Sequence, residues 1–332
     1  MLVALVLVGS SSVTEAQQAN PEPDGVISGS VVAGTPGDDL AGGVVVQLLV
    51  PQGDGEPLVM SQDLAPDGTF SFEVEADPLL TYLPVARYQG VIYFGNAVLL
   101  SEELPTATVG FEVYSTTEDG STLEIELVSV TVLAIDRAAG ELTLIREDLV
   151  RQSAPYVYLG DANGVVLRVP VPDGTVAAGG IPAADGEYEF VGGVVVVSES
   201  EIRPGVTSVV TQYTVRYDTG EDRYRLRLTT PLAADRIEVR VPERFVREIE
   251  PGDEATALAD SVDFNGEELL VAERVDAGPG DGLVLDLDGL SGVELSTHPF
   301  TSQPGAAIAA AVAALVVAGG VIALARRSSR AG

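Results

Sequence analysis

Residues 65–75 read APDGTFSFEVE, a turn followed by a strand. Pro66 fixes φ, Asp67 can bond its own backbone two residues on, and Gly68 tolerates a positive φ. From Thr69 to Glu75 the polarity alternates, which places Phe70, Phe72 and Val74 on one face. The same grammar extends in both directions. Upstream are Gly25–Ala33 (GVISGSVVA), Gly43–Val50 (GVVVQLLV, nearly continuous in its apolarity) and Leu58–Leu64. Downstream are Tyr82–Tyr88, Val91–Val98 and Thr106–Tyr114. Seven short strands cut by turn residues predict an all-β, Greek-key sandwich over residues 24–116.

Residues 117–198 and 199–295 continue in the same style. Leu123–Ile135, Glu141–Arg146, Tyr156–Leu159, Val165–Val171 and Tyr188–Val197 are the strands expected of the first block. Gly205–Tyr217, Tyr224–Thr229, Ile237–Val241, Glu268–Arg274 and Leu283–Leu287 are those of the second. The reading is two further Ig-like or fibronectin-like sandwiches; one larger sandwich fits the same strands.

Composition excludes much chemistry. The 332 residues carry 50 Asp and Glu against 18 cations, a formal charge of −32. Every cation is Arg, Cys and Trp are absent, and His298 is the one histidine. Without Cys there is no disulfide, thiol nucleophile or Cys-ligated metal. Without Lys there is no Schiff base or Walker-type lysine. So acidic a surface disfavours nucleic acid. The acidity fits either a high-GC genome or adaptation to high salt, where screening reduces self-repulsion.

The opening sandwich, residues 24–116, resembles a known family. It carries GVISGSV at 25–31, AGGVVVQL at 41–48, PDGTFSF at 66–72 and YLPVARYQGVIY at 82–93. This order is similar to that of a carboxypeptidase-regulatory-like, or transthyretin-like, domain. The resemblance covers about 24–116 and implies a non-catalytic, prealbumin-like accessory module, structural or carbohydrate-facing. The zinc-binding His and Glu of the associated peptidase domain have no counterpart.

The ends have their own signature. Leu2–Val8 is apolar, and Thr14 and Ala16 fit the small-residue pattern of a secretory cleavage site, so 1–16 reads as a signal peptide and 17–23 as a leader. Ala306–Ala325 is uncharged and is followed by Arg326, Arg327 and Arg330. Such a run spans a bilayer of roughly 30 Å, and trailing arginines favour the cytoplasmic side. The expectation is a single-pass, type I membrane protein: body outside, a 296–305 stalk, a 306–325 transmembrane helix and a 326–332 tail. Ala306, Ala310, Ala314 and Ala318 form a small-residue stripe that could support helix association.

Candidate sites are few. His298 lies in the stalk and reads as a surface residue, because a catalytic His needs a rigid orienting carboxylate. Asp286, Asp288 and Asp161 are weak calcium candidates from DLDG and DANG fragments; neither shows a full ligand set, and turn and solvent-facing strand acids are the favoured reading. No other cofactor is indicated. Arg216, Arg223, Arg225, Arg227, Arg236, Arg240, Arg244 and Arg247 crowd into 32 residues. Period two aligns Arg223, Arg225 and Arg227, and aligns Arg236 with Arg240. These five suggest either a solvated Arg–acid lattice or a docking face for a glycan, a head group or an acidic protein. The functional expectation is a non-enzymatic surface protein for binding, adhesion or scaffolding. The alternatives are an accessory subunit of a membrane complex and a carboxylate-based hydrolase.

Overall fold

The computed structural model describes residues 24–40, 43–52, 55–182, 184–262, 266 and 268–290. Among these the chain is almost entirely strand and turn. The segments expected to be signal peptide, stalk and transmembrane helix lie outside the described residues, as do His298 and the Ala306–Ala318 stripe. Among the described residues no helix is long and apolar enough to cross a membrane. The chain divides into two units between Tyr114 and Ser115.

The first unit holds eight strands: β1 Gly25–Ala33, β2 Val44–Gln52, β3 Gly55–Asp63, β4 Thr69–Val74, β5 Thr81–Tyr88, β6 Val91–Phe94, β7 Val98–Leu99 and β8 Thr106–Val113. One sheet runs β4-β1-β8; the other runs β3-β2-β5-β6, with β7 also on β5. β1 pairs antiparallel with β4 and parallel with β8. Phe70, Phe72 and Val74 are buried, as the alternation predicts, against Ile27, Phe111 and Val113 in the same sheet and Val46, Leu48 and Tyr82 in the other. Gly29 is required where Phe70 crosses β1: a Cβ there would sit 1.9 Å from the Val109 carbonyl and 2.5 Å from the Phe70 ring.

The second unit holds β9 Thr116–Thr117, β10 Leu123–Asp136, β11 Glu141–Gln152, β12 Val157–Tyr158, β13 Val165–Pro170, β14 Thr175–Gly180, β15 Glu187–Val191 and β16 Val194–Ser198. It continues with β17 Gly205–Arg216, β18 Arg223–Thr229, β19 Ala234–Pro242, β20 Glu248–Pro251, β21 Thr256–Val262, β22 Glu268–Ala277 and β23 Gly282–Asp288. A seven-stranded sheet runs β14-β17-β11-β10-β19-β22-β21. Two three-stranded sheets, β13-β16-β15 and β18-β23-β20, share its core.

This arrangement corrects the expected boundary at 198/199. Strands from both halves interleave in the large sheet: β11 pairs with β17, and β10 pairs in parallel with β19, setting Val128 beside Ile237. Neither half can close a sandwich alone, because each supplies only part of that sheet. Residues 115–290 therefore form one unit with one main core.

At the heart of that unit lies an ion pair. Arg146 and Asp148 on β11 face inward and have no solvent exposure. The Arg146 guanidinium grips both Asp148 oxygens, Nε to Oδ2 at 2.8 Å and Nη2 to Oδ1 at 2.7 Å. Its Nη1 donates to the carbonyls of Pro170, at the end of β13, and Thr229, at the end of β18. One side chain thus ties both small sheets to the large one. Burial works against the Arg146 charge, but Asp148 and the adjacent Tyr213 outweigh it and hold the guanidinium firmly protonated. Burial also pushes the Tyr213 phenol far above its ordinary value.

Candidate functional site

The expected arginine face does not assemble. Arg223, Arg225 and Arg227 project from β18, in a small sheet, whereas Arg236 and Arg240 project from β19, in the large one. The two strands turn Leu226, Leu228, Ile237, Val239 and Val241 into the shared core. Their arginines therefore leave the sandwich on opposite sides.

The β18 arginines are also occupied. Arg223 grips Asp288 on β23 through Nε and Nη2, each at 2.8 Å, and its Nη1 lies 3.0 Å from Glu250 on β20. Arg225 grips Asp286 in the same two-pronged way, at 2.8 Å and 2.8 Å. Strand register dictates this, since Arg223 stands opposite Asp288 and Arg225 opposite Asp286. Charge-assisted, bidentate bonds of this kind are the stronger class of surface ion pair. The Arg225 hydrogen bond outweighs partial burial and holds the Asp286 carboxyl below its usual range. Arg240 is engaged by Glu238. Arg227 stands opposite Val284 and has no carboxylate partner among the described residues. Of the two readings of this cluster, the geometry matches the Arg–acid lattice.

The calcium candidates are spoken for as well. Asp286 and Asp288 lie beneath the arginines, only 8% and 7% exposed. Asp161 accepts from the amides of Asn163 and Val165 at 2.9 and 3.2 Å and from Arg168 at 3.0 Å. These bonds, the Asn163 amide first, lower its pKa and define a closed turn. Among the described residues no group of three or more metal-ligating side chains converges.

Carboxylates are numerous among the described residues. Those with a resolved shift among the described residues, Asp67, Asp119, Asp161 and Asp286, are all shifted downward. A general acid needs the opposite. Two open depressions occur in the second unit. One, of about 370 Å³, is lined by Thr116–Glu118 and Leu159–Gly164. The other, of about 300 Å³, includes Glu124, Asp235 and Asp276, and Arg151 bridges the first two of these acids.

The surface that stands out is on the first unit. Its two sheets have unlike outer faces. The outer face of β4-β1-β8 carries Ser28, Ser30, Ser71, Glu73, Thr106, Thr108 and Glu112 beside Val26 and the 54%-exposed Val32, a mostly polar, solvated face. On the other sheet, register sets rows of outward side chains. Val59, Leu49 and Leu83 form one row. Ser61, Gln47, Val85 and Phe94 form the next. Asp63, Val45, Arg87 and Ile92 form a third, and Thr81 and Leu99 extend the face onto β7. Eight of these residues are apolar, although Val85 is itself buried at 1% exposure and Val45, Leu49, Leu83 and Ile92 are half-buried. Phe94 is 65% exposed, Leu99 63% and Val59 46%. The polar residues satisfy one another: Arg87 Nε donates to Gln47 at 2.7 Å, and Gln47 Nε2 donates to Ser61 at 3.1 Å.

Strand spacings give this face a footprint of roughly 300–400 Å². Exposed apolar side chains grouped on one face, as Phe94, Leu99 and Val59 are here, commonly mark an interaction site. The sequence signal for it is GVVVQLLV, a strand apolar on both faces. Such a strand reads as covered on both sides, and here only one side is covered by the partner sheet.

Comparison with known proteins adds little. No family model matches the chain, and no curated protein matches it. Among solved structures, an M1 zinc metallopeptidase from Deinococcus radiodurans matches with a TM-score of 0.30 and 12% identity, covering 50% of this chain and 42% of that one. A mutant of an M1 zinc metallopeptidase from the same organism, bound to a Tyr-Ser-Ala substrate, matches at the same TM-score and identity, with 43% of its chain covered. The chain thus spans well under half of these structures. A likeness at this score carries no functional assignment.

Proposed function

We propose that the protein is a non-enzymatic binding protein, held to a membrane by residues 306–325 with its two β units outside the cytoplasm. The observation that supports it best is the apolar outer face of the β3-β2-β5-β6 sheet, set against the mostly polar outer face of its partner sheet. A protein in water gains nothing by leaving Phe94 and Leu99 exposed; burying them against a partner is favourable by about 25 cal/mol per Å². Residues 24–116 are read as an accessory sandwich of the carboxypeptidase-regulatory-like kind, and the two-layer, eight-strand arrangement supports that reading.

The test compares the full chain with its Phe94→Ser/Leu99→Ser variant, each recovered from its native membrane. Proteins recovered at fixed ratio with the parent and lost with the variant are the expected result, and would also identify the chain as an accessory subunit if the ratio is stoichiometric. A chain lacking residues 300–332 reports whether the anchor contributes. Identical companions for parent and variant, or none for either, would sink the proposal.

A further inference from the structure

We infer that the apolar face of the first unit takes a protein segment whose apolar side chains are flanked by Lys or Arg. This inference rests on the binding reading above and names the partner's chemistry. Residues 24–114 contain 13 acids and a single cation, Arg87. That one cation lies within the apolar face and is tied to Gln47. Three carboxylates accompany the face, one by strand register and two by their place in the chain just after Leu99. Asp63 ends the third row, opposite Val45. Glu102 and Glu103 sit in the turn that follows Leu99 and precedes the 72%-exposed Leu104. The unit has no further cation with which to neutralise them.

The same facts rank the other occupants lower. A second copy would bring the same excess of acid against this rim. An anionic lipid surface or acidic protein meets the same repulsion. A glycan needs many hydrogen-bond donors and acceptors, and this face offers chiefly Gln47, Ser61, Thr81 and Arg87, three of them already bonded to one another. A partner with an apolar centre and a basic rim gains from both: the centre desolvates against Phe94 and Leu99, and the rim meets Asp63, Glu102 and Glu103.

The experiment uses the full chain in lipid nanodiscs and three labelled synthetic peptides. One has alternating Val and Phe flanked by Lys; the second has the same core flanked by Glu; the third keeps the Lys but replaces the apolar residues with Ser. Fluorescence anisotropy at low salt is expected to show the Lys-flanked apolar peptide binding at least about tenfold more tightly than either control. That advantage should shrink severalfold when salt is raised tenfold, as screening shortens the reach of the rim charges. Phe94→Ser/Leu99→Ser, which leaves every charge in place, should reduce binding to the level of the Ser peptide. Glu102→Lys/Glu103→Lys, which leaves the apolar face in place, should remove most of the preference for Lys over Glu flanks. Circular dichroism confirms that each variant is folded.

Equal binding of Lys- and Glu-flanked peptides would overturn the inference. So would binding that is indifferent to both variants, dimerisation of the chain that Phe94→Ser abolishes, or a preference for plain zwitterionic vesicles. If the native companions vanish with Phe94→Ser/Leu99→Ser while the two flanked peptides bind alike, the partner's basic character falls and the binding reading stands. If the native companions are unchanged, both fall.

Discussion

Arg146 concentrates much of what holds the second unit together. Its partners are a carboxylate on its own strand and two carbonyls on separate sheets. Removing one member strands the other as a buried charge, which typically costs about 3–5 kcal/mol. Arg146→Ala and Asp148→Ala should each lower the unfolding free energy, extrapolated from urea titration, by an amount of that order. Replacing both with apolar residues of similar size should cost much less than the sum, because no charge is left unpaired. A double variant as unstable as the sum of the singles would refute this account. Thr211, opposite Arg146 and fully buried, offers a contrasting case. Its hydroxyl makes no hydrogen bond. Thr211→Val should therefore be neutral or stabilising by up to about 1 kcal/mol, since an unsatisfied polar group is removed without loss of volume. A clear fall in the melting temperature would mean the hydroxyl has a partner after all.

The β18–β23 ladder is where pH should act at the level of an element. Asp286 has its pKa depressed, first through the Arg225 hydrogen bond, from an ordinary value of 3.8. A depressed carboxyl stabilises the fold above the unfolded-state pKa and loses that contribution as pH falls through the folded-state value. Stability measured by urea should therefore drop as pH falls below about 3.8. Asp286→Asn should flatten that segment of the curve; an unaltered slope would remove Asp286 as its cause. Both strands and their alternation were legible in the sequence, as was the choice between an acid lattice and a docking face. Which choice holds depends on register, which pairing across 60 residues decides. Other elements were harder to read. β11 runs on to Gln152, past the expected end at Arg146, because its inward row continues through two charged residues that ordinarily point to water. The expected strand Tyr188–Val197 is a hairpin, turning at Gly192 and Gly193, both at positive φ. β14 carries Ala and Gly and shows no alternation of polarity. The parallel pairing of β10 with β19 leaves no local trace at all, so the single second unit could be offered only as an alternative. In the first unit, GVVVQLLV was visible as a strand, yet its significance appears only once one of its faces is found uncovered.

The distribution of charge over the molecule makes the two units unequal. Residues 115–290 set 14 arginines against 34 acids, and many of those arginines are committed to ion pairs such as Arg223–Asp288, Arg216–Glu141 and Arg168–Asp161. Residues 24–114 set one arginine against 13 acids, and that arginine is bonded to a glutamine. The first unit therefore offers its carboxylates a single cation, and in water at low salt their mutual repulsion opposes the compact state. Added salt acts differently on the two. Screening shortens the Debye length from about 10 Å at 0.1 M to about 3 Å at 1 M. In the first unit this removes repulsion almost exclusively; in the second it removes repulsion and weakens exposed attractive pairs together. Sodium chloride should thus stabilise the first unit more. Hydrogen exchange resolved by peptide, at low and high salt, separates the two without requiring them to unfold independently. Peptides from β2 and β5 should gain more protection than peptides from β11 and β17. Equal gains would show that the acid excess of the first unit is not a stability term. Greater gains in the second unit would mean that its ion pairs contribute too little to matter, consistent with values of about 0–1 kcal/mol for exposed pairs, and that its larger absolute charge governs instead.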